Sequence, residues 1–357
     1  MKTVARELAD SPLKWLEGLG ESSDIVLSCR VRLARNLEKF VFPWRADPET
    51  LNTVAGTIRS HIAPDNSKKP LRSLVIDSLD PLARGILVER HLISSALARG
   101  GPGREALVDE KGILSVMLNE EDHIRIQAFF DGLRIHDAWK AAREVDQELE
   151  DLGYAFDGKS GFLTTCPTNI GTGLRASVMI HLPALSVLRK IGRIVAECGR
   201  IGLTVRGMYG EGSESAGSLF QVSNQVTLGQ AEEELLEKVY GVASGLVGKE
   251  RSARVRLLDV KGREFEDRAW RAWGLLRHAR IVDRRESLEL LSISRMASEM
   301  DILPAVPTIA WNRMLLDIQQ AHMQARAERP LGAEELNARR ADVLRRLFGS
   351  LPENGAI

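Results

Sequence analysis

Two runs rich in β-formers, Ile113 to Leu118 and His123 to Phe130, are separated by only Asn119-Glu120-Glu121-Asp122. A link that short cannot carry a crossover, so the runs must pair as a hairpin and the sheet containing them is antiparallel there. Further candidate strands between 23 and 224 are Ile25 to Leu33, Leu71 to Ile76, Ser177 to Leu182, Leu203 to Met208 and Leu219 to Val222. Trp139, Ala142, Val145, Leu149 and Leu152 make one apolar stripe, and Leu185, Leu188, Ile191 and Val195 another. These spacings predict helices covering one face of the sheet. After Asn224 the texture changes: Ala231 to Val247 reads as a helix, and from about Gly262 the pattern is helical nearly to the end. The stripes there are Leu290, Ile293, Met296 and Met300; Trp311, Leu315, Ile318 and His322; and Leu336, Arg340, Val343 and Leu347, punctuated by Pro304, Pro307 and Pro330-Leu331-Gly332. The expected fold class is α+β, an antiparallel-sheet domain over residues 1–255 flanked by helices, then an all-helical domain of about four helices over 256–357.

With 357 residues, 44% of them hydrophobic, the chain can bury cores for both parts. Its 49 basic and 49 acidic residues balance. No general field would capture nucleic acid or anionic lipid, so cationic clusters read as local sites and a nucleic-acid partner is not expected. The first ten residues lack an apolar signal region and no stretch is long enough to cross a bilayer, which leads us to expect a cytoplasmic protein without a membrane partner. Three cysteines, Cys29, Cys166 and Cys198, are too few and scattered for a disulfide frame or zinc site.

Cys166 opens the run Cys166-Pro167-Thr168-Asn169-Ile170-Gly171-Thr172-Gly173-Leu174-Arg175-Ala176-Ser177-Val178, which places a thiol, a Pro turn, glycines and a cation in one short loop. That is the equipment of a site. Arg30 and Arg32 are two apart on a candidate strand and so share a face. Arg125 follows the acidic turn, Arg175 opens another strand and Arg206 ends a third. Any one of them alone reads as a solvated strand face, and a Glu-rich turn is ordinarily just solvated. No Gly-x-x-x-x-Gly-Lys-Ser/Thr loop is present, so a nucleotide here would be held by other cations.

The Cys166 run, together with Asn119-Glu120-Glu121-Asp122-His123-Ile124-Arg125 and Ser28-Cys29-Arg30-Val31-Arg32-Leu33-Ala34-Arg35, resembles the guanidino-kinase superfamily, whose members move the γ-phosphoryl group of ATP onto a guanidinium. The resemblance implies an antiparallel-sheet catalytic domain, ATP as cosubstrate, and Mg2+ held mainly by the ATP phosphates with no protein metal site. It implies nucleotide contacts from Ser28, Cys29, Arg30, Val31 and Arg32, from Arg125, from Arg175, Ala176, Ser177, Val178 and Met179, and from Arg206, Gly207, Met208, Tyr209, Gly210 and Glu211. His91, within Leu87-Val88-Glu89-Arg90-His91-Leu92-Ile93-Ser94, matches a histidine that packs on adenine; its other reading is an ordinary half-buried histidine on a helix.

A guanidinium acceptor has a pKa above about 12 and no free lone pair, so it must be clamped and deprotonated as it reacts. Carboxylates do both. By resemblance the base is Glu121, and Cys166 is the substrate-side thiol, acting electrostatically and sterically as its thiolate. A second clamp belongs in Arg206-Gly207-Met208-Tyr209-Gly210-Glu211-Gly212-Ser213-Glu214. Counting forward from Arg206 gives Glu211, and counting back from Val222-Ser223-Asn224 gives Glu214; Glu211 is preferred because the strand end bearing Arg206 is the fixed point. Cys29 and Cys198 read as packing residues.

The Ser-x-Arg-x-Arg strand begins at Ser28, leaving no room for the preceding helical domain of small-molecule guanidino kinases. With Thr172-Gly173-Leu174-Arg175-Ala176-Ser177-Val178-Met179 and Val205-Arg206-Gly207-Met208-Tyr209-Gly210-Glu211-Gly212-Ser213-Glu214, the layout is similar to the bacterial protein-arginine kinase family over nearly the whole chain. That implies protein substrates with exposed arginine, marking for degradation by a protease with an AAA+ unfoldase in stress-linked quality control, an activator protein, and a homodimer formed through the C-terminal helices. Trp270, Trp273 and Trp311 could cover such a shared surface or fill an internal core. Two other functions stay open, a kinase of free arginine or another small guanidine and a non-catalytic phosphoarginine-binding adaptor. The family carries an Arg-Asp-x-x-Arg-Ala motif for product-dependent activation, whereas the aligned stretch here is Leu336-Asn337-Ala338-Arg339-Arg340-Ala341. Arg340 and Ala341 are kept, but Leu336 and Asn337 replace the charged pair, so a weak response to phosphoarginine or none at all is expected.

Overall fold

The computed structural model describes residues 4–62, 71–208 and 215–351. Its strands are β1 (Val26–Arg35), β2 (Arg72–Val75), β3 (Glu105–Val108), β4 (Leu114–Leu118), β5 (Ile124–Asp131), a short pair β6 (Phe156–Asp157) and β7 (Gly161–Phe162), then β8 (Leu174–His181), β9 (Leu203–Gly207) and β10 (Leu219–Asn224). Eight of these form one sheet in the order β2-β3-β4-β5-β1-β8-β10-β9, with every neighbouring pair antiparallel. The β4–β5 hairpin closes with Leu118 opposite Ile124 and Asn119 N donating to His123 O at 3.0 Å. Asn119 turns the chain at φ 53°, a conformation asparagine tolerates. β3 was not legible in the sequence, because Glu105-Ala106-Leu107-Val108 is buried at all four positions and does not alternate.

The helices are α1 (Val4–Asp10), α2 (Pro48–His61), α3 (Pro81–Glu89), α4 (Ile135–Leu149), α5 (Pro183–Val187), α6 (Ile191–Arg200), α7 (Glu232–His278), α8 (Arg284–Glu299), α9 (Thr308–Asp317), α10 (Gln320–Ala325) and α11 (Ala333–Phe348). Two expected helices are broken. The Leu185 to Val195 stripe divides into α5 and α6 at Arg189, which adopts φ 55°. The Trp311 to His322 stripe divides into α9 and α10 at Ile318-Gln319. Conversely, α7 is one long helix that runs through residue 255 and leaves helical geometry at Lys261 (φ −140°).

Period-two alternation sorts the central strands into two faces. Cys29, Val31, Leu33, Ile124, Ile126, Ala128, Ala176 and Val178 are fully buried in a core shared with α2, α4, α5, α6 and α7. On the other face helices stand at the margins: α1, α3 and α10 pack over the β2–β4 end, and Leu13, Trp15, Leu16, Phe129 and Leu316 form a small cluster beside the centre. The centre of that face is lined by clefts instead.

The C-terminal helices are tied to the sheet part by buried polar contacts. Glu250 of α7 accepts from Ala184 N at 2.8 Å and Leu185 N at 3.0 Å, satisfying free amides at the start of α5. Arg295 of α8 donates to Ser23 O at 2.8 Å and to Asn312 Oδ1 at 2.9 Å, and His181 Nε2 meets Ser292 Oγ at 2.8 Å. Trp273 and Trp311 both pack on Phe348 with ring centroids 5.3 Å apart and are buried. They belong to the internal core, which leaves Trp270 as the one of the three at the surface.

Candidate active site

The outward residues of the central strands define three adjoining clefts. The first encloses about 650 Å³ open to solvent and is mostly apolar, with Trp15, Leu27, His91, Phe129, Met179, Met208 and Leu315 in its walls. His91 is not on a helix; it lies just past α3 in the left-handed region at φ 60°. Gln127 Nε2 fixes that turn by donating to His91 O and Leu92 O, each at 2.9 Å. The imidazole packs 5.9 Å from the Trp15 ring and 6.4 Å from that of Phe129. Burial, then the charge of Arg30, lowers its pKa to about 4. At neutral pH it is an uncharged flat ring beside aromatic neighbours, suited to a heterocyclic base.

Arg30 and Arg32 of β1 continue the face, with Ser177 opposite Arg30 and Arg175 opposite Arg32 on β8. Arg125 projects from β5 into both remaining clefts. Burial, followed by Arg175 and Arg125, pushes the Arg30 guanidinium down to about 10. Arg32 falls well below the ordinary value from burial, then Arg30, Arg125 and Arg175. Arg175 is lowered by burial, then Arg206 and Arg125. Among the described residues no carboxylate pairs with Arg30, Arg32, Arg175 or Arg206, and the Nε atoms of Arg32 and Arg175 are buried without a hydrogen-bond partner. Crowded, desolvated and uncompensated guanidinium groups are costly unless a polyanion joins them.

At the far end, Arg32, Glu121, Arg125, Cys166, Thr168, Asn169, Gly173 and Arg175 line one cleft. Arg125 is held by two carboxylates of unequal character. Its Nη1 lies 2.5 Å from Glu120 Oε2, and its Nη2 donates to Glu121 Oε2 at 2.8 Å. The Glu120 side chain is only 4% exposed and also accepts from the Ser94 hydroxyl, whereas that of Glu121 is 39% exposed. Glu120 therefore anchors Arg125, and Glu121 faces the opening. Asp122 is fully buried and accepts from Asn36 Nδ2 and Thr165 N, both at 2.7 Å, which joins the acidic turn to the end of β1 and to the Cys166 loop. Cys166 Sγ sits 3.0 Å from Thr168 Oγ1. Gly173 is needed there: at φ 64°, a Cβ would stand 2.5 Å from Ala34 O.

Of the expected nucleotide contacts, Ser28, Arg30, Arg32, His91, Arg125, Arg175, Ser177, Met179 and Met208 line these clefts. Cys29, Val31, Ala176 and Val178 do not. Strand alternation turns their side chains into the opposite, helix-covered core, where Cys29 Sγ donates to Gly132 O at 3.1 Å and burial pushes its thiol pKa up. Cys198 is buried as well. Arg206 and Gly207 lie on the edge strand β9, with Arg206 opposite Gln221. Tyr209, Gly210, Glu211 and Glu214 fall outside the described residues. Sequence reasoning missed Trp15, Phe129, Gln127, Ser94 and the anchoring roles of Glu120 and Asp122; Phe129 and Gln127 could have been found by extending the alternation from Arg125. Among the described residues, no group of three or more His, Cys, Asp or Glu side chains could hold a metal ion.

In the C-terminal region, Leu336 is 7% exposed, Ala341 is buried, and Arg340 donates to Ile318 O at 3.0 Å, Val282 O at 3.1 Å and Asn337 Oδ1 at 2.7 Å. Arg339 points elsewhere, into a cleft with Asp317, Arg326 and Arg346.

The family model described as the ATP:guanido phosphotransferase C-terminal catalytic domain matches residues 53–253, and that of the protein-arginine kinase McsB C-terminal domain matches residues 262–356. A protein-arginine kinase of Halalkalibacterium halodurans is 41% identical over 345 residues, covering 96% of this chain and 97% of the relative. One from Brevibacillus brevis is 42% identical over 334 residues, 93% of this chain and 94% of its own. Among solved structures, the duplicated taurocyamine kinase of Schistosoma mansoni with bound transition-state-analogue components aligns with a TM-score of 0.57 and 28% identity, over 66% of this chain and 33% of that one.

Proposed function

The chain belongs to the protein-arginine kinase family of guanidino phosphotransferases, and on that premise we propose that it transfers the γ-phosphoryl group of ATP to arginine side chains of proteins. The observation carrying this reading is the meeting of opposite chemistries in one cleft, where Glu121 and Cys166 share walls with Arg32, Arg125 and Arg175. The base of ATP seats against His91, Trp15 and Met179, and its phosphates lie along Arg30, Arg32, Arg125, Arg175 and Arg206. The acceptor guanidinium sits between Glu121 and Cys166, with Glu211, or Glu214 as the alternative, closing the clamp. Glu121 takes a proton from the acceptor N–H, the nitrogen lone pair forms the new bond to the γ-phosphorus, and the bond to the bridging oxygen breaks so that ADP leaves with that electron pair. Arg125 stays fixed by Glu120 while Glu121 turns to the acceptor. Mg2+ would come with the nucleotide, as the resemblance to guanidino kinases implies, and no step is assigned to it.

The wider role follows the family: a cytoplasmic enzyme whose product marks proteins for an AAA+ unfoldase-protease under stress, together with an activator protein. The match of the C-terminal region over 262–356 supports it. A homodimer through the C-terminal helices is supported by the exposed apolar side chains Val255, Leu258, Val260, Trp270 and Leu275 along α7. Sedimentation of the protein and of a Val255→Glu, Leu258→Glu double variant tests it.

The activity test is incubation with ATP and either an unfolded protein or free arginine. Phosphorus NMR near neutral pH, with mass spectrometry that spares the acid-labile phosphorus–nitrogen bond, reads the product. Phosphoarginine on the protein is expected. Product on free arginine alone would make the chain a small-guanidine kinase, and no transfer with retained binding of phosphoarginine proteins would make it an adaptor.

A further inference from the structure

A fourth cleft, enclosing about 550 Å³ open to solvent, lies behind the base-binding cleft and shares Leu16 and Leu316 with it. Its walls include Arg90, Arg313 and His322, with Glu17 and Asp317 as acidic groups. The two carboxylates are already engaged, Glu17 by Lys14 at 3.0 Å and Asp317 by Arg326 at 2.7 Å. Among the described residues, the two guanidinium groups have no carboxylate of their own. Arg90 is 3% exposed, donates only to the carbonyls of Ser11 and Pro12, each at 3.0 Å, and leaves Nε buried without a partner. No carboxylate among the described residues pairs with it, and burial, then Arg313, lowers its pKa to about 10. Arg313 stands exposed, also without a carboxylate partner among the described residues.

His322, 1% exposed, completes the arrangement. Its Nδ1 lies 2.7 Å from Glu89 Oε2, while the same carboxylate accepts from Ala321 N and His322 N. Glu89 thus fixes the ring, and Nε2 is left buried and unpartnered. With Nδ1 taken by Glu89, Nε2 is the ring nitrogen left for a ligand. Arg90, Arg313 and His322 thus line one opening, and the first and last of them each keep a buried nitrogen without a partner.

We propose that this cleft is a second, regulatory oxyanion site, which takes the phosphate or carboxylate head of a small ligand and is coupled to nucleotide binding. The coupling route is structural. Arg90 holds the Ser11-Pro12 segment that leads into Trp15, a wall of the base cleft, and α9 carries Arg313 into this cleft, Leu315 into the base cleft and Leu316 into the wall that the two share. An anion bridging Arg90, Arg313 and His322 pins Trp15 and α9 together, so the base cleft is held formed.

The test titrates inorganic phosphate, and in parallel succinate, into full-length protein whose catalytic cradle is already filled with a non-hydrolysable ATP analogue. Histidine ring NMR, assigned with His322→Gln, and calorimetry report binding. A shift of the His322 resonance is expected, with the bound analogue about fivefold or more harder to displace by ADP when the anion is present, and both effects lost in Arg313→Met, whose exposed position leaves folding intact. Response to phosphate but not succinate identifies a phosphoryl ligand, and the reverse a carboxylate. The proposal is overturned if neither anion moves His322 with the cradle filled, or if Arg313→Met responds like the unmodified protein. Arginine phosphorylation is measured separately, so its failure is distinguishable from failure here.

Discussion

Glu120 and Glu121 are neighbours in sequence and grip the same guanidinium, yet burial gives them different work. The exposed Glu121 faces the cleft that holds Cys166, and the buried Glu120 keeps Arg125 in place if Glu121 leaves it. Glu121→Gln should therefore reduce transfer by about 10²-fold or more while nucleotide affinity, measured by calorimetry with a non-hydrolysable analogue, stays nearly unchanged. Near-normal turnover would refute the assignment. Arg125→Ala should weaken that affinity as well as turnover, since it removes charge-assisted hydrogen bonds to phosphate; unaltered binding would mean the phosphates lie elsewhere. Cys166→Ser should keep fold and nucleotide affinity but slow transfer, and alkylation of the Cys166 thiol should be blocked by acceptor plus nucleotide together.

The elements that carry the site were legible where local pattern decides them. The hairpin follows from a four-residue turn between two β-rich runs, and the shared face of Arg30 and Arg32 follows from period two. The same alternation turns the side chains of Cys29, Val31, Ala176 and Val178 into the helix-covered core, a consequence hidden when whole segments are carried over from a resemblance. Trp15 was illegible because an N-terminal 3-10 turn reaches the base cleft only through tertiary packing on Phe129. Likewise the α5–α6 break keeps helical spacing in the sequence, and only the φ 55° at Arg189 reveals it. Glu250 gives the α7–α5 junction a pH dependence. Burial raises its pKa to about 7, so between the ordinary 4.5 and about 7 the folded state binds more protons than the unfolded chain. Its contribution is full below that window and is lost as pH rises through 7, by at most about 3 kcal/mol. Urea unfolding at pH 5 and pH 8 should show that slope in the unmodified protein and its loss in Glu250→Gln; equal slopes would remove Glu250 as the cause.

At the scale of the whole molecule, the C-terminal helices reach the catalytic face, since Glu89 of α3 receives the start of α10 and Leu315 and Leu316 of α9 enter the base cleft. A ligand on those helices could thus govern activity, which makes the altered Leu336-Asn337-x-x-Arg340-Ala341 stretch consequential. Leu336 is packed inward, and Arg340 spends its donors on Ile318 O, Val282 O and Asn337 Oδ1. A phosphoarginine ligand would find neither a guanidinium at 336 for its phosphate nor a carboxylate at 337 for its own guanidinium. Losing two charge-assisted contacts of roughly 1.5–3 kcal/mol each weakens such a pocket about a hundredfold or more. Arg339 does not replace them, because one residue along a helix turns the side chain by about 100°, and here it lines the separate cleft with Asp317 and Arg346. Titrating free phosphoarginine into the activity assay should therefore leave the rate unchanged. Asn337→Asp should be tolerated, since it gives Arg340 a carboxylate where an amide oxygen already accepts from it. Leu336→Arg must bring a guanidinium out of a buried position, so a response should return only when the two changes are combined. Clear activation of the unmodified protein by phosphoarginine would sink this reading.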